Sequence, residues 1–125
     1  PQVVVLCGDV SVVDLVGRGT ALRRHPAFGS AGANANFVSR DARGEWAMRT
    51  FERGVEGETL ACGTGAIASA ALIVAWGLAA ADPVVVRTRS GLPLGVRFQG
   101  TADGGVVPSL RGEGRIVYHG TLGEL

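Results

Sequence analysis

Runs of apolar residues predict the elements of the first part of the chain. A continuous apolar run over residues 3–7, with three consecutive valines, predicts a buried strand. Ser11 is placed to cap a helix that runs to about residue 24, because apolar side chains recur on one face of that segment. Gly17 and Gly19 weaken this helix, since glycine has a low helix propensity.

A β-hairpin is predicted next. Residues 26–32 form a loop, and residues 35–39 and 46–52 are each typical of a strand. The intervening Asp-Ala-Arg-Gly at positions 41–44 is a plausible hairpin turn.

The second half of the chain contains the strongest helix signal. Residues 64–78 are apolar on every face, so this helix is expected to be buried all round, and Asp82-Pro83 ends it. Four further strands are expected, over residues 84–89, 94–98, 106–110 and 115–118. The whole pattern predicts one α+β domain over residues 1–125, in which a central apolar helix is enclosed by a curved, mostly antiparallel β-sheet.

Composition and charge count against several classes of function. With 12 Lys and Arg against 11 Asp and Glu, the net charge is +1 and the basic residues are scattered, unlike a nucleic-acid surface. The longest apolar run, residues 66–81, is shorter than the roughly 20 residues that span a membrane. Neither a signal peptide nor a His and Cys cluster with metal-ligand spacing is visible. Two distant cysteines indicate a reduced, cytoplasmic setting.

The residues most suited to catalysis lie around Cys62, directly before the long apolar helix. The first N–H groups of a helix have no intrahelical partner, so they attract anions and favour a thiolate over a thiol. Gly63, Thr64 and Gly65 follow the thiol, and glycines leave room for a ligand near the backbone. Ten residues upstream, a Glu-Arg-Gly sequence adds a carboxylate and a guanidinium. This combination is typical of an active site.

Each of these residues also has an ordinary structural interpretation. A cysteine at a helix start is more often a small buried hydrophobe, and Glu52 with Arg53 is more often a solvated ion pair. Asn34 and Asn36 would usually be turn or strand-entry residues. Five further residues are interpreted as structural because no neighbour in sequence suggests catalysis: Cys7, His25, His119, Trp46 and Trp76.

Two stretches resemble a known family. One is Glu52-Arg53-Gly54 followed by Gly-Glu-Thr-Leu-Ala-Cys-Gly-Thr-Gly over residues 57–65; the other is Gly-Ala-Asn-x-x-Phe-Val, with Asn34 as its asparagine. Both resemble the diaminopimelate epimerase family, around its second catalytic cysteine. The resemblance covers essentially the whole chain, but only as the C-terminal half of an enzyme with two pseudo-symmetric domains. Proline-type racemases and phenazine-biosynthesis-like isomerases share the fold but not the long string.

The resemblance implies a cofactor-independent epimerase, without metal or pyridoxal phosphate, that interconverts LL- and meso-2,6-diaminopimelate by proton transfer between two thiols. Cys62 resembles the second thiol, usually assigned as the proton acceptor, and Glu52 has an implied pKa-modulating role. The substrate-binding positions of the family fall on Asn34, Glu52, Arg53, Gly63 and Thr64. An N-terminal half-domain would supply the other thiol. The full enzyme is expected to be a homodimer in lysine and peptidoglycan-precursor biosynthesis.

The sequence departs from the family in three places. The chain lacks the residue before Pro1, where the family has a substrate-binding Asn. Gln2 stands where a His is common, so a proposed pKa-modulating group is missing. The stretch from Glu52 to Cys62 is one residue longer than the commonest form, through residues 55–57. The first thiol belongs to the other half, so the isolated chain is expected to be inactive.

Two other classes of function stay open. A cysteine hydrolase or acyltransferase with Cys62 as its nucleophile would need His25 or His119 within hydrogen-bond reach of the thiol. A non-catalytic anion-binding paralogue would keep the helix N-terminus but have no partner thiol.

Overall fold

One curled β-sheet with a helix on each face makes up most of the structure. The computed structural model describes residues 1–80 and 82–124. The strands are β1 (Gln2–Leu6), β2 (Asn34–Arg40), β3 (Trp46–Glu52), β4 (Gly57–Thr59), β5 (Val84–Arg87), β6 (Pro93–Gly100) and β7 (Val106–Arg111). The α-helices are α1 (Leu15–Arg23) and α2 (Gly63–Ala75), with short 3-10 turns at Val10–Val12 and Pro26–Phe28.

The sheet is mixed but mostly antiparallel. Its strand order is β1-β2-β3-β5-β6-β7, and β4 pairs with β3 off this path. β1 runs parallel to β2 and β5 parallel to β3, whereas the other described pairings are antiparallel. Helix α2 contacts strands at both ends of this order, because the sheet curls around it as a half-barrel. The predicted α+β class is therefore confirmed.

β2 supplies side chains to both layers, because successive residues of a strand point to opposite faces. Val38 is fully buried beneath α2, in a cluster that includes Ile73. Phe37 is fully buried beneath α1, in a cluster that includes Leu15. Asn36 is two residues from Val38 and shares its face, so a polar side chain points toward the central helix.

Helix α1 begins later than the sequence predicts. Asp14 caps it, because its carboxylate accepts a hydrogen bond from the Gly17 N–H at 3.0 Å. Ser11 lies in the preceding 3-10 turn and does not cap this helix. A Cβ on the buried Gly19 would lie 2.6 Å from Phe51, so glycine allows close packing of the helix on β3. The glycine that weakens the helix in isolation is thus needed for its packing.

The prediction that the central helix is buried on all sides is wrong. Ala66 and Ile73 are fully buried against the sheet, but Leu72 is 37% exposed and Ala71 also lies on the outer side. The half-barrel covers one side of α2, and the described residues leave its other side open. The apolar sequence of this helix predicts that it is buried, but it does not identify the element that covers each side.

The predicted strand over residues 115–118 is also wrong. No strand follows β7 in residues 112–124 of the described chain. Ile116, Val117 and Tyr118 are 79%, 86% and 80% exposed. The apolar, β-branched composition suits a strand, but a strand forms only where a partner supplies backbone hydrogen bonds.

A half-buried ion pair ties the turn before α1 to the sheet. Arg49 donates through Nε and Nη2 to the two carboxylate oxygens of Glu58, at 2.7 and 3.0 Å. Its Nη1 donates to the backbone carbonyls of Val10 and Val13, each at 3.2 Å. The hydrogen bond between the two side chains lowers the pKa of Glu58 and raises that of Arg49, because both charged forms are favoured.

Glu58→Gln is expected to lower the free energy of unfolding by about 1–2 kcal/mol at pH 7, because a partly exposed charge-assisted pair is lost. Folding lowers the pKa of this carboxyl below its unfolded value of about 4.3. The stabilisation is therefore complete above that value and disappears as the pH falls through the folded-state pKa.

Urea unfolding of both proteins across a pH series measures this effect. The difference between wild type and Glu58→Gln should shrink in acid, and Glu124→Gln, which changes an exposed carboxyl, should have little effect at any pH. A difference that stays constant into acid would show that the charge of Glu58 does not stabilise the fold.

Candidate active site

Cys62 lies at the start of α2, as the sequence predicts. It is the N-cap residue, with extended backbone (φ −137°, ψ 107°) and no side-chain capping bond. The first intrahelical bond runs from the Ala66 N–H to the Cys62 carbonyl at 2.9 Å. The N–H groups of Gly63, Thr64 and Gly65 therefore have no intrahelical acceptor. The thiol is free and 8% exposed, beside a group of donors suited to an anion.

A hydrogen-bond network beneath the helix start was not predicted from the sequence. Asn36 is fully buried and donates through Nδ2 to Gln2 Oε1 at 2.9 Å and to the Val3 carbonyl at 3.0 Å. Its Oδ1 accepts from the Thr50 hydroxyl at 2.8 Å. Gln2 Nε2 in turn donates to Thr64 Oγ1 at 2.8 Å. Asn36 is the third residue of β2, inside the strand that the sequence predicts, and both ends of its amide are bonded.

Close packing explains the glycines after the thiol. A Cβ on Gly65 would lie 2.2 Å from Asn36 Oδ1 and 3.2 Å from Cys62 Sγ. A Cβ on Gly63 would lie 2.9 Å from Leu110 Cδ2 on β7. At Gly65 the close neighbour is the protein's own amide, so glycine is needed there for packing as well as for any approach by a ligand.

The turn after β3 brings Arg53 and Asn34 together. The Arg53 N–H donates to Asn34 Oδ1 at 2.6 Å, and the Glu56 N–H donates to the Glu52 carbonyl at 2.8 Å. In residues 1–80 and 82–124, neither Glu52 nor Arg53 forms a salt bridge, so the solvated ion pair between them is not formed. Arg53 is exposed and Glu52 half-buried, which leaves both charged groups accessible to a ligand.

The same turn contains a residue in an uncommon backbone conformation. Glu56 has φ of 56°, in the left-handed region that non-glycine residues seldom adopt. Its carboxylate pairs with Arg23 at the end of α1, with 2.9 Å between Nη2 and Oε1. This turn is thereby attached to α1, and it also carries the contact between Asn34 and Arg53.

The candidate site consists of two groups of contacts joined by β2. One links Cys62 and Thr64 to the network of Asn36, and the other links Arg53 to Asn34. The two asparagines are two residues apart and so lie on the same face of the strand. No side-chain hydrogen bond between the two groups is found among the described residues.

Neither histidine is placed to activate the thiol. His25 Nδ1 accepts from the Ala27 N–H at 3.2 Å, at the start of a 3-10 turn. His119 lies in the exposed C-terminal segment. Within the described ranges no hydrogen bond joins Cys62 to either residue, so a cysteine hydrolase would have no histidine base here.

The other free thiol belongs to the scaffold. Cys7 Sγ donates to the Val38 carbonyl at 3.3 Å, and burial raises the pKa of this thiol. Across the part of the chain that the structure describes, no group of three or more His, Cys, Asp or Glu residues could hold a metal ion. In that same part no helix has the length and apolar character needed to cross a membrane.

Fold and site together define an α+β half-barrel that presents a thiol at the start of its central helix. A family model described as diaminopimelate epimerase matches residues 1–117. A relative named diaminopimelate epimerase, from Gemmatimonas aurantiaca, is 50% identical across 100% of this chain and 47% of its own length. The chain belongs to the diaminopimelate epimerase family.

Other relatives agree with this placement. Proteins of the same name from Aquifex aeolicus and Chlorobaculum tepidum are 46% and 35% identical, over 78% and 98% of this chain and 35% and 46% of their own lengths. A crystal structure of a Bacillus anthracis phenazine biosynthesis protein of the PhzF family has a similar fold, with a TM-score of 0.59 and 17% identity over 86% of this chain and 34% of that one. The chain spans about half the length of the relatives that match it along its whole length.

Proposed function

We propose that this chain is the C-terminal half of a cytoplasmic enzyme that interconverts LL- and meso-2,6-diaminopimelate, with Cys62 as one of two proton-carrying thiols. The strongest support is the position of Cys62 in a member of this family. Its sulfur is buried at the start of α2, beside N–H groups that have no intrahelical acceptor. The reaction would serve lysine and peptidoglycan-precursor biosynthesis.

Inversion at an α-carbon needs two acid–base groups. One proton must leave one face of the carbon and another must reach the opposite face, whereas a single base tends to return the proton to its original side. A thiol suits this role because a helix N-terminus favours its ionised form at moderate pH. Cys62 would serve one face, and a thiol of the other half-domain would serve the second.

Stabilisation of the negative charge is the harder part of the reaction. The α-proton is far less acidic than any side-chain acid, and the proposed mechanism uses no pyridoxal group to accept electrons. Preorganised dipoles must therefore stabilise the carbanion-like transition state. The N–H groups of Gly63 and Thr64 supply such dipoles and are suited to hold the α-carboxylate. Exclusion of water by the second half-domain would strengthen their effect.

Arg53, Asn34 and Glu52 would bind the rest of the substrate. The accessible Arg53 guanidinium can hold a carboxylate through two parallel N–H bonds, and the bond from its backbone to Asn34 fixes the turn that carries it. Glu52 would accept from an ammonium group and have the pKa-modulating role toward the thiols. Binding at the remote end of the substrate would align the reacting C–H bond with the sulfur.

The uncovered apolar side of α2 favours the proposal that a second domain packs on this helix. An apolar groove of about 570 Å³ lies between this helix and the last two strands, lined by residues that include Ile67, Val74, Phe98 and Val106. Further apolar residues are exposed after β7. A surface of this kind is normally covered by protein. We assign its cover to the N-terminal half-domain, and the complete enzyme would be a homodimer.

A chimera tests the proposal. Residues 1–125 replace the matching 47% of the Gemmatimonas aurantiaca relative, and conversion of LL- to meso-diaminopimelate is followed by chiral chromatography. The chimera should catalyse the conversion. The isolated chain, with its purity verified, should not, because one face of the substrate has no acid or base. A folded chimera without turnover, or turnover by the isolated chain, would contradict the proposal.

A further inference from the structure

We infer that Gln2 and Asn36 are positioning residues that aim the Thr64 hydroxyl at the sulfur of Cys62, so that this hydroxyl donates to the thiolate. The inference rests on the proposed function, in which Cys62 carries the proton. Its structural basis is a continuous series of hydrogen bonds from the interior of the sheet to the thiol.

A backbone carbonyl sets the direction of the bonds as far as Thr64, and a thiolate at Cys62 can only accept the last one. The Val3 carbonyl can only accept, so the amide nitrogen of Asn36 must face it, and the same nitrogen donates to Gln2 Oε1. With its oxygen engaged, Gln2 presents Nε2 to Thr64 Oγ1 and donates to it at 2.8 Å. The Thr64 hydroxyl accepts this bond, which leaves its own hydrogen for Cys62 Sγ, 3.6 Å away.

The interior end of the series has little freedom to move. Asn36 is fully buried, and the Thr50 hydroxyl donates to its oxygen at 2.8 Å. Gly65 lies against that oxygen so closely that a Cβ would be only 2.2 Å away. Reversal of the amide would place its oxygen against the Val3 carbonyl oxygen, where two acceptors would face each other, and its nitrogen against the Thr50 hydroxyl.

The series consists of neutral groups. Hydrogen bonding to the charged form of an acid favours ionisation, so an aimed hydroxyl stabilises the thiolate without adding a titrating group. Hydrogen bonds in a chain also strengthen one another. In this protein Gln2 would therefore promote thiolate formation by orientation. Its effect on the sulfur passes through Thr64. Substitutions of Gln2 and Thr64 should therefore not have additive effects on the thiol.

Alkylation of Cys62 by iodoacetamide as a function of pH provides a readout that does not depend on turnover. The chimera is digested with trypsin, and the peptide over residues 54–87 reports Cys62, while the peptide that ends at Arg18 reports Cys7 as an internal control. Thr64→Val keeps the backbone N–H and the shape of the side chain. Gln2→Met removes the amide while Asn36 keeps the Val3 carbonyl as an acceptor.

Thr64→Val should move the midpoint of the Cys62 rate profile upward by about 0.5–1 pH unit, the size expected for one long hydrogen bond to a charged group. Gln2→Met should move it in the same direction by about half as much, and Thr64→Ser should restore the wild-type midpoint. The double variant should shift no further than Thr64→Val alone, because Gln2 acts through Thr64. Cys7 should not change. Glu52, Arg53 and Arg111 are retained in every variant, so the shifts do not come from a change in these charges.

Two results would overturn the inference: an unchanged midpoint in Thr64→Val, or shifts that add in the double variant. The positioning role also predicts that Gln2→Met lowers kcat more than it raises KM, whereas a merely structural change would lower stability and leave the alkylation midpoint in place. If the chimera is inactive but the midpoints shift as described, the proposed epimerase function fails and the hydrogen-bond series stands.

Discussion

Cys62→Ala in the chimera is expected to lower kcat by at least about 100-fold, because a positioned acid–base group contributes roughly 10²- to 10⁴-fold to a proton transfer. The thermal midpoint should change little. The side chain is small, lies at a helix end and makes no capping bond to α2. Steady-state kinetics and a thermal melt of the same preparation measure both quantities.

Cys7→Ala is the matched control for the loss of a free thiol. Cys7 Sγ bonds to the Val38 carbonyl and lies outside the series of contacts around Cys62, so its removal should leave kcat nearly unchanged. If Cys62→Ala keeps more than a few per cent of the activity, Cys62 is a structural residue and the proton passes through another group.

Arg53→Lys is expected to lower kcat/KM by roughly 10- to 150-fold, about 1.5–3 kcal/mol. Lysine keeps the charge but lacks the planar pair of N–H donors that matches a carboxylate. The effect should appear in kinetics rather than in stability, because the Arg53 side chain forms no salt bridge among the described residues.

Arg43→Lys, in the exposed hairpin turn, is the control for a change of one surface guanidinium. It should alter neither kinetics nor melting. Normal kinetics together with a lowered melting temperature in Arg53→Lys would place Arg53 in the scaffold, with the substrate carboxylate held elsewhere.

The parts of the fold that the sequence predicts well are those with strong local signals. The hairpin of β2 and β3 forms with the expected turn, and α2 begins directly after Cys62. Alternating apolar and polar residues in a strand, and an uninterrupted apolar run in a helix, can each be recognised within a short stretch of sequence. The placement of the thiol at a helix N-terminus follows from such a stretch.

The parts that were missed depend on contacts between distant segments. The series from Asn36 through Gln2 to Thr64 exists only because β1 pairs in parallel with β2 and α2 crosses their ends. Gln2 is 62 positions from Thr64 and 34 from Asn36, so no short stretch of sequence could predict either hydrogen bond. The burial of Asn36 could be seen only in the folded chain.

Two of the wrong predictions concern apolar surfaces. The exposed side of α2 and residues 115–118 both have apolar composition without cover from the described residues. Composition predicts that such residues are buried in the complete protein. It does not say whether the covering element belongs to the same half of the molecule.

Epimerisation in D₂O tests the central claim most directly. The chimera is incubated with LL-diaminopimelate, and early time points are analysed by mass spectrometry after the stereoisomers are separated. If two thiols act on opposite faces, the delivering thiol holds hydrogen from the solvent. The meso product should then carry one deuterium at the inverted carbon, while the unreacted substrate remains unlabelled. Product that retains the original α-hydrogen would indicate a single base and contradict the two-thiol account.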